Sequence, residues 1–343
     1  MRVVDCHPQA NPVARAKGHS AAAKYAYITR AGRYTKHADP VLASGSFGMP
    51  HFAAADPALF WLAADTFERA NATIAMEYVL PLPAGLNEQQ QVALCDHYAR
   101  RMSEVPGGGI AMPVSWALHR GGGNPHMHLL VNERQVDALS TTFPAEQFFR
   151  RFNSKQPERG GARKGNNLFS QLDDLKRGWC NISNRAARAA GLNVVLTSDP
   201  LPVQREKAKA AFREAADDTA QSDAAWWWMK THRPVTSHMG RALKNAPAEA
   251  QERRARNDEE RRTRDDWLAP AATQYVAWCR TNQLPVNAEA AELAAKFDPE
   301  RNTAMQFDFN IDDIDADLAA DINREAAAQI QPEQFAEFKA RMR

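Results

Sequence analysis

The stretch His119-Arg120-Gly121-Gly122-Gly123-Asn124-Pro125-His126-Met127-His128 constrains the fold more than any other part of the chain. Side chains alternate along a strand, so His126 and His128 share one face of it. Pro125 cannot donate to a sheet ladder, which places the start of that strand just after it. The glycine-rich run is a long hairpin loop, and His119 ends the strand that enters it. If His119 pairs with His126, three imidazoles share one face, at direct and diagonal Cβ spacings of about 5 and 7 Å. Three of the chain's 10 histidines on one hairpin is not the pattern of a core histidine; the competing reading is a coincidence of surface histidines. Three neutral nitrogens suit zinc, manganese, cobalt or nickel better than magnesium, which prefers oxygen. A site of this kind with an open position also serves a zinc hydrolase that activates water.

The remaining segments supply neighbours for that hairpin. Arg2–Cys6 reads as a short edge strand, followed by a loop through Asn11-Pro12 to Gly18. Ser20 is the expected N-cap of a helix over Ala21–Ala31, stopped by Gly32. Further helices are expected over Pro57–Asn71, Glu88–Ser103 and about 168–190. Strands are expected over Thr73–Leu82, Met112–His119, Met127–Asn132 and Val194–Leu196. Strands joined by a hairpin and mixed with helices predict an α+β fold, an antiparallel sheet flanked by helices, with a mainly helical C-terminal region. The 343 residues suit one large domain and a smaller part. We read them as a first domain over 1–200, a helical bridge over 201–225 and a helical region over 226–343.

Composition excludes several classes. With 44% hydrophobic and 24% charged residues the chain has enough apolar material for a core and is neither disordered nor fibrous. No window approaches a membrane span, and the start lacks the apolar core of a signal peptide, so a cytoplasmic location without a membrane partner is expected. Cys6, Cys95, Cys180 and Cys279 lie far apart and form no CxxC motif, which predicts free thiols.

Charge is uneven. The net value is +2, yet residues 1–200 hold 22 Lys and Arg against 16 Asp and Glu. A basic first domain points to phosphate contact. Arg150, Arg151, Lys155, Arg159, Arg163 and Lys164 form its densest stretch, with Phe148, Phe149 and Phe152 interleaved. Phosphate contacts beside a stacking ring suit single-stranded DNA; a solvated loop over a buried Phe face is the alternative. Near the N-terminus, Tyr27 has Lys24 one turn before it and Arg30 one turn after it, on the same side of the helix, and both cations are counted among the residues expected to contact DNA. A phenol near cations ionises more readily, and a phenolate can attack phosphorus and form a covalent ester; buried packing is the competing reading. Tyr25 faces elsewhere, and Tyr34 lies beyond Gly32. Trp226-Trp227-Trp228 either packs the C-terminal helices or offers a stacking surface. The acidic run Asp308–Asp321 lacks the glycine and terminal glutamate of an EF-hand and reads as an acidic surface.

In order along residues 1–200, several stretches resemble the MobA/MobL family of plasmid relaxases. They are Ser20-Ala21-Ala22-Ala23-Lys24-Tyr25-Ala26-Tyr27-Ile28 with Gly32-Arg33-Tyr34, then Phe67-Glu68-Arg69-Ala70-Asn71 and Glu77 with Leu82-Pro83. Ala117-Leu118-His119, Asn124-Pro125-His126-Met127-His128 and Glu133-Arg134 follow, then Arg151-Phe152-Asn153 and Pro157-Glu158-Arg159-Gly160-Gly161. A weaker echo is Pro234 with Ser237-His238-Met239-Gly240. The resemblance implies a histidine–hydrophobe–histidine (HUH) endonuclease fold and a relaxase domain over 1–200 that nicks one DNA strand at an origin of transfer. It implies that Tyr27 attacks the scissile phosphate and stays joined to the 5′ end. It also implies that His119, His126 and His128 hold Mg²⁺ or Mn²⁺, away from zinc. The family pattern has an acid at Glu77, which would take the proton from Tyr27 or accept the Nδ1–H of a histidine ligand; a surface glutamate is the plain alternative. Implied partners are single-stranded or hairpin DNA at the origin of transfer, accessory mobilisation proteins and a coupling protein. Where the family continues with an Asp-x-Arg-Ser-like stretch, Thr197-Ser198-Asp199-Pro200 stands here. The rival readings are a rolling-circle initiator or transposase of the same superfamily, a zinc hydrolase, and a non-catalytic origin-binding accessory protein.

Overall fold

The computed structural model describes residues 1–6, 8–36, 39–105, 108–120, 124–165, 172–233 and 247–297. The acidic run 308–321 and the echo at 234–240 lie outside the described residues. In chain order the elements are β1 (Arg2–Asp5), β2 (Gln9–Ala14), α1 (Ala21–Thr29), β3 (Val41–Phe47), α2 (Pro57–Phe67), β4 (Thr73–Pro81), α3 (Glu88–Ser103), β5 (Val114–His119) and β6 (His126–Val131). Then come α4 (Ala145–Phe148), α5 (Leu172–Ala189), β7 (Val194–Thr197), α6 (Leu201–Arg213), α7 (Asp218–Lys230), α8 (Pro247–Thr281) and α9 (Ala288–Ala294). The described residues fall into two compact units, one within 3–198 and one formed by 1–2 with those from 199 to 297.

The first unit is built on a five-stranded antiparallel sheet in the order β2-β4-β6-β5-β3; β1 and β7 form a separate pair. Both faces of the large sheet are covered, so β5 is buried at every position rather than at alternate ones. On one face Tyr78, Leu80, Trp116, Leu118, Met127 and Leu129 pack against Leu94, Cys95 and Tyr98 of α3 and Trp179 of α5. On the other, Ala75, Ala117 and Leu130 meet Ile28 of α1, Phe60 and Trp61 of α2, and Phe148 and Phe149. Each fully buried large side chain contributes roughly 1.5–3 kcal/mol relative to exposure. The α+β architecture with an antiparallel sheet flanked by helices and a helical C-terminal region is the one expected from the sequence.

Two strands depart from expectation. Residues 9–14, expected as loop, form β2 despite Pro12, because β2 is an edge strand and its outer side needs no donors. Residues 41–47 form β3, the opposite edge, although Ala43-Ser44-Gly45-Ser46 carries no β-branched signal. Here the neighbour dictates composition. A Cβ on Gly45 would lie 2.8 Å from Nε1 of Trp116, so the indole occupies the space a side chain would need.

In the second unit, Ala208 and Phe212 of α6, Trp226, Trp228 and Met229 of α7, and Trp267, Tyr275 and Cys279 of α8 share one core. Residues 201–225, expected as a bridge, therefore hold α6 and most of α7 and contribute to that core. The three adjacent tryptophans pack it: Trp226 and Trp228 are buried, and Trp227 is partly so. All four cysteines are buried free thiols. No described helix is long and apolar enough to cross a membrane.

Candidate metal centre and nucleophile

The hairpin register sets the site. His119 lies opposite His126, and Ala117 opposite His128. The three imidazoles therefore project from the sheet face that α1 and α2 cover, with ring centroids 4.4, 5.0 and 5.5 Å apart. One ligand atom from each lies within 4.8 Å of the others, and His119 and His128 are buried. Burial favours the neutral ring: it lowers the pKa of His119 to about 4, against a raising contribution from its bond to Ile28, and it also lowers that of His128. Neutral rings are what a cation requires of histidine.

Hydrogen bonds assign the tautomers. Nδ1–H of His128 donates to Oε1 of Glu77 at 3.0 Å, and Nδ1–H of His126 donates to the Asn124 carbonyl at 3.0 Å. Both residues thus present Nε2 lone pairs. His119 is inverted: its Nε2 lies 2.6 Å from the Ile28 carbonyl, so Nε2 carries the proton and Nδ1 the lone pair. Three convergent imidazole nitrogens, each on a ring whose other nitrogen is held by an acceptor, fit a divalent ion.

Glu77 is buried on β4, and its second oxygen takes the Lys24 ammonium at 3.1 Å and the Asn11 amide at 3.2 Å. Burial works against its charge, yet the bond from His128 and the Lys24 cation outweigh it and hold the carboxyl at about 2. An ionised carboxylate so engaged orients His128 and is a weak proton acceptor.

Tyr27 reaches this cluster from α1. Its ring lies 6.0 Å from that of His128 and 6.4 Å from that of His119, with the Lys24 ammonium at 5.2 Å and the Arg30 guanidinium at 4.6 Å from its centroid. Tyr34 meets it edge-on at 5.5 Å despite the break at Gly32. Tyr25 is elsewhere, and burial and then Asp56 raise its pKa. Both ends of α1 are fixed. At its start Asp65 of α2 accepts from the Ser20 hydroxyl and the amides of Ala21 and Ala22, while Ser20 caps Ala23. At its end Arg30 takes a left-handed conformation (φ 56°) and folds its side chain back. Lys24 and Arg30, expected to meet DNA, are thus both engaged within the protein.

The basic stretch divides into core and surface. Phe148 and Phe149 are core residues on the α1–α2 face, whereas Phe152 is half-buried beneath the Arg163 guanidinium, 4.8 Å from its ring centroid. Arg150, Arg151, Lys155, Arg159, Arg163 and Lys164 are exposed; Arg150 pairs with Glu146, and Lys164 lies 3.6 Å from Glu133. Buried Arg134 underpins the stretch. Its Nε donates to Glu68 at 2.6 Å, and its Nη atoms donate to the carbonyls of Phe148, Phe149, Arg150 and Ala162. Sequence reading assigned no role to Asn11, Asp39, Asp65, Glu68 or Arg134. Only Glu68 and Arg134 had a signal, inside matched motifs, and nothing local linked the two.

The model of the MobA/MobL family matches residues 15–199. Mobilization protein A of Escherichia coli is 40% identical over 188 residues, 54% of this chain and 26% of that protein. The 43 kDa relaxation protein of Salmonella typhimurium is 31% identical over 172 residues, 46% of this chain and 44% of that protein. The chain spans less than half the length of either relative. A solved chain, described as "Molecular Basis of Vancomycin Resistance Transfer in Staphylococcus aureus", aligns with 57% of this chain and 99% of its own length, at TM-score 0.45 and 21% identity.

Proposed function

Because the chain belongs to the MobA/MobL family, we propose that it is a relaxase of conjugative mobilisation that nicks one DNA strand at a plasmid origin of transfer through Tyr27. The observation that carries this reading is the packing of the Tyr27 ring 6.0 Å from His128 and 6.4 Å from His119, beside the three-histidine cluster. The Tyr27 phenol gives up its proton to solvent and its oxygen attacks the scissile phosphorus; a tyrosyl P–O bond forms, the bond to the 3′ oxygen breaks, and that oxygen takes a proton from solvent to leave as a 3′-hydroxyl. The phosphotyrosyl ester keeps the 5′ end for later rejoining. Lys24 and Arg30 hold the phenol from either side, and Glu77 orients His128. A divalent ion, Mg²⁺ or Mn²⁺, held by His119, His126 and His128 would stabilise the charge that develops on the non-bridging phosphate oxygens.

In this reading Val3–Ser198 perform the nicking, and Arg150, Arg151, Lys155, Arg159 and Arg163 follow the backbone of single-stranded or hairpin DNA, with Phe152 as the ring for a base. Accessory mobilisation proteins and a coupling protein are the partners the family implies. The test is covalent capture: protein, Mg²⁺ or Mn²⁺ and labelled single-stranded origin DNA on a denaturing gel, with Tyr27→Phe and EDTA controls. A metal-dependent adduct lost in Tyr27→Phe supports the proposal. An adduct that survives moves the nucleophile to Tyr34 or Tyr25. Tight binding without an adduct identifies an accessory protein, and cleavage without one identifies metal-activated water.

A further inference from the structure

His119 has a single lone pair to offer a metal, and that lone pair is taken. Its Nε2 proton is committed to the Ile28 carbonyl at 2.6 Å, which leaves Nδ1, and Nη2 of Arg30 lies 3.2 Å from Nδ1. Arginine has donors only, so this contact is a hydrogen bond into the lone pair an ion would use. Arg30 is no surface side chain that happens to rest there. Its side chain is 8% exposed, Nε donates to the Asp39 carbonyl at 2.9 Å, and Nη1 donates to the Tyr27 carbonyl at 2.8 Å. The Asp39 carboxylate lies 3.6 Å from Nη2 and 3.7 Å from His119 Nδ1, so it faces both partners. The backbone reinforces the arrangement: Arg30 holds φ 56° at a position where glycine is the usual residue.

We infer that Arg30, held by Asp39, clamps Nδ1 of His119 and sets the metal affinity of the site, because an ion can engage His119 only after the guanidinium withdraws. This rests on the three-histidine metal reading above. Two like charges cannot share one lone pair, and a guanidinium beside the histidines also repels a divalent ion through space. Arg30 is thus a positioning residue that acts through His119. Since Nη1 also holds the carbonyl of Tyr27, withdrawal loosens the turn that carries the phenol, which couples ion entry to the nucleophile.

The test uses the full chain and Mn²⁺ as the probe, with free Mn²⁺ read by electron paramagnetic resonance for wild type, Arg30→Met, Arg30→Lys and His128→Ala. Circular dichroism checks that each is folded. Loss of one hydrogen bond from a charged donor predicts that Arg30→Met binds Mn²⁺ about tenfold more tightly. A purely structural role predicts the reverse. Arg30→Lys keeps the charge but loses the fork, so it should gain a few-fold, and it decides the matter if Arg30→Met does not fold. Nitrogen-15 spectra of the metal-free histidines should show His119 protonated at Nε2, with Nδ1 shifting in Arg30→Met. Unchanged or weaker affinity in folded Arg30→Met, or a proton on Nδ1, overturns the clamp. If His128→Ala abolishes binding while the Arg30 variants match wild type, the clamp alone fails. If no variant binds Mn²⁺, or His128→Ala binds as wild type does, the metal reading fails and takes the clamp with it.

Discussion

Replacing Arg134 by methionine tests how the basic stretch is held. The guanidinium pairs with Glu68 at 2.6 Å, and the two side chains are only 5% and 2% exposed. It also donates to four carbonyls, those of Phe148, Phe149, Arg150 and Ala162. Methionine matches much of the bulk but leaves a buried carboxylate without its cation. Breaking such a pair from one side costs about 3–5 kcal/mol. At about 1.4 kcal/mol per factor of ten, opening of the 148–162 segment should rise roughly 10²–10⁴-fold. Amide hydrogen exchange reads this at Ala162, whose N–H bonds the Phe148 carbonyl, and at Gly161, which bonds Arg151. Adding Glu68→Leu should restore part of the loss, since the stranded charge goes with it. Exchange within threefold of wild type in Arg134→Met would refute the reasoning, as would a double variant as unstable as the sum of the single ones.

Three further outcomes are expected. Glu77→Gln removes the charged acceptor behind His128 and should weaken Mn²⁺ binding by about 10–100-fold, measured by calorimetry; a change under threefold would mean that Glu77 does not support the ligand. Arg150→Ala with Arg151→Ala should weaken single-stranded DNA binding and reduce the slope of log K against log salt by about 1.4; an unaltered slope would show that neither side chain meets phosphate. Asp65→Ala strands the amides of Ala21 and Ala22 at the start of α1 and should cost about 1–2 kcal/mol in urea unfolding, along with most of the covalent adduct. Full adduct yield would separate the cap from the placement of Tyr27.

What the sequence revealed followed from how local each signal is. The hairpin was legible because alternation, Pro125 and the glycine loop all act within ten residues, and its register then fixed the imidazole face. β2 and β3 were hidden because edge position and a neighbour's indole, both tertiary facts, decide them. Phe148 and Phe149 look like stacking rings when read beside arginines, and only the packing of α2 over the sheet makes them core. Glu77 illustrates the middle case. The residue was identifiable, but its role depended on Asn11, Lys24 and His128, which reach it from three other elements. Asp65, Asp39 and the Glu68–Arg134 pair act across chain separations that no motif spans.

A nine-residue helix is too short to persist in water by its own propensity. α1 exists because a carboxylate from α2 grips its first turn and the Ile28 carbonyl in its last turn receives the Nε2 proton of His119. The phenol of Tyr27 therefore has no address of its own: its coordinates are inherited from α2 and from the end of β5. Substitutions on the outer surface of α1 should be forgiven, whereas a one-residue insertion between Ser20 and Tyr27 would turn the phenol away while keeping every named side chain. Transplanting this helix into another scaffold would carry the tyrosine across and leave its location behind.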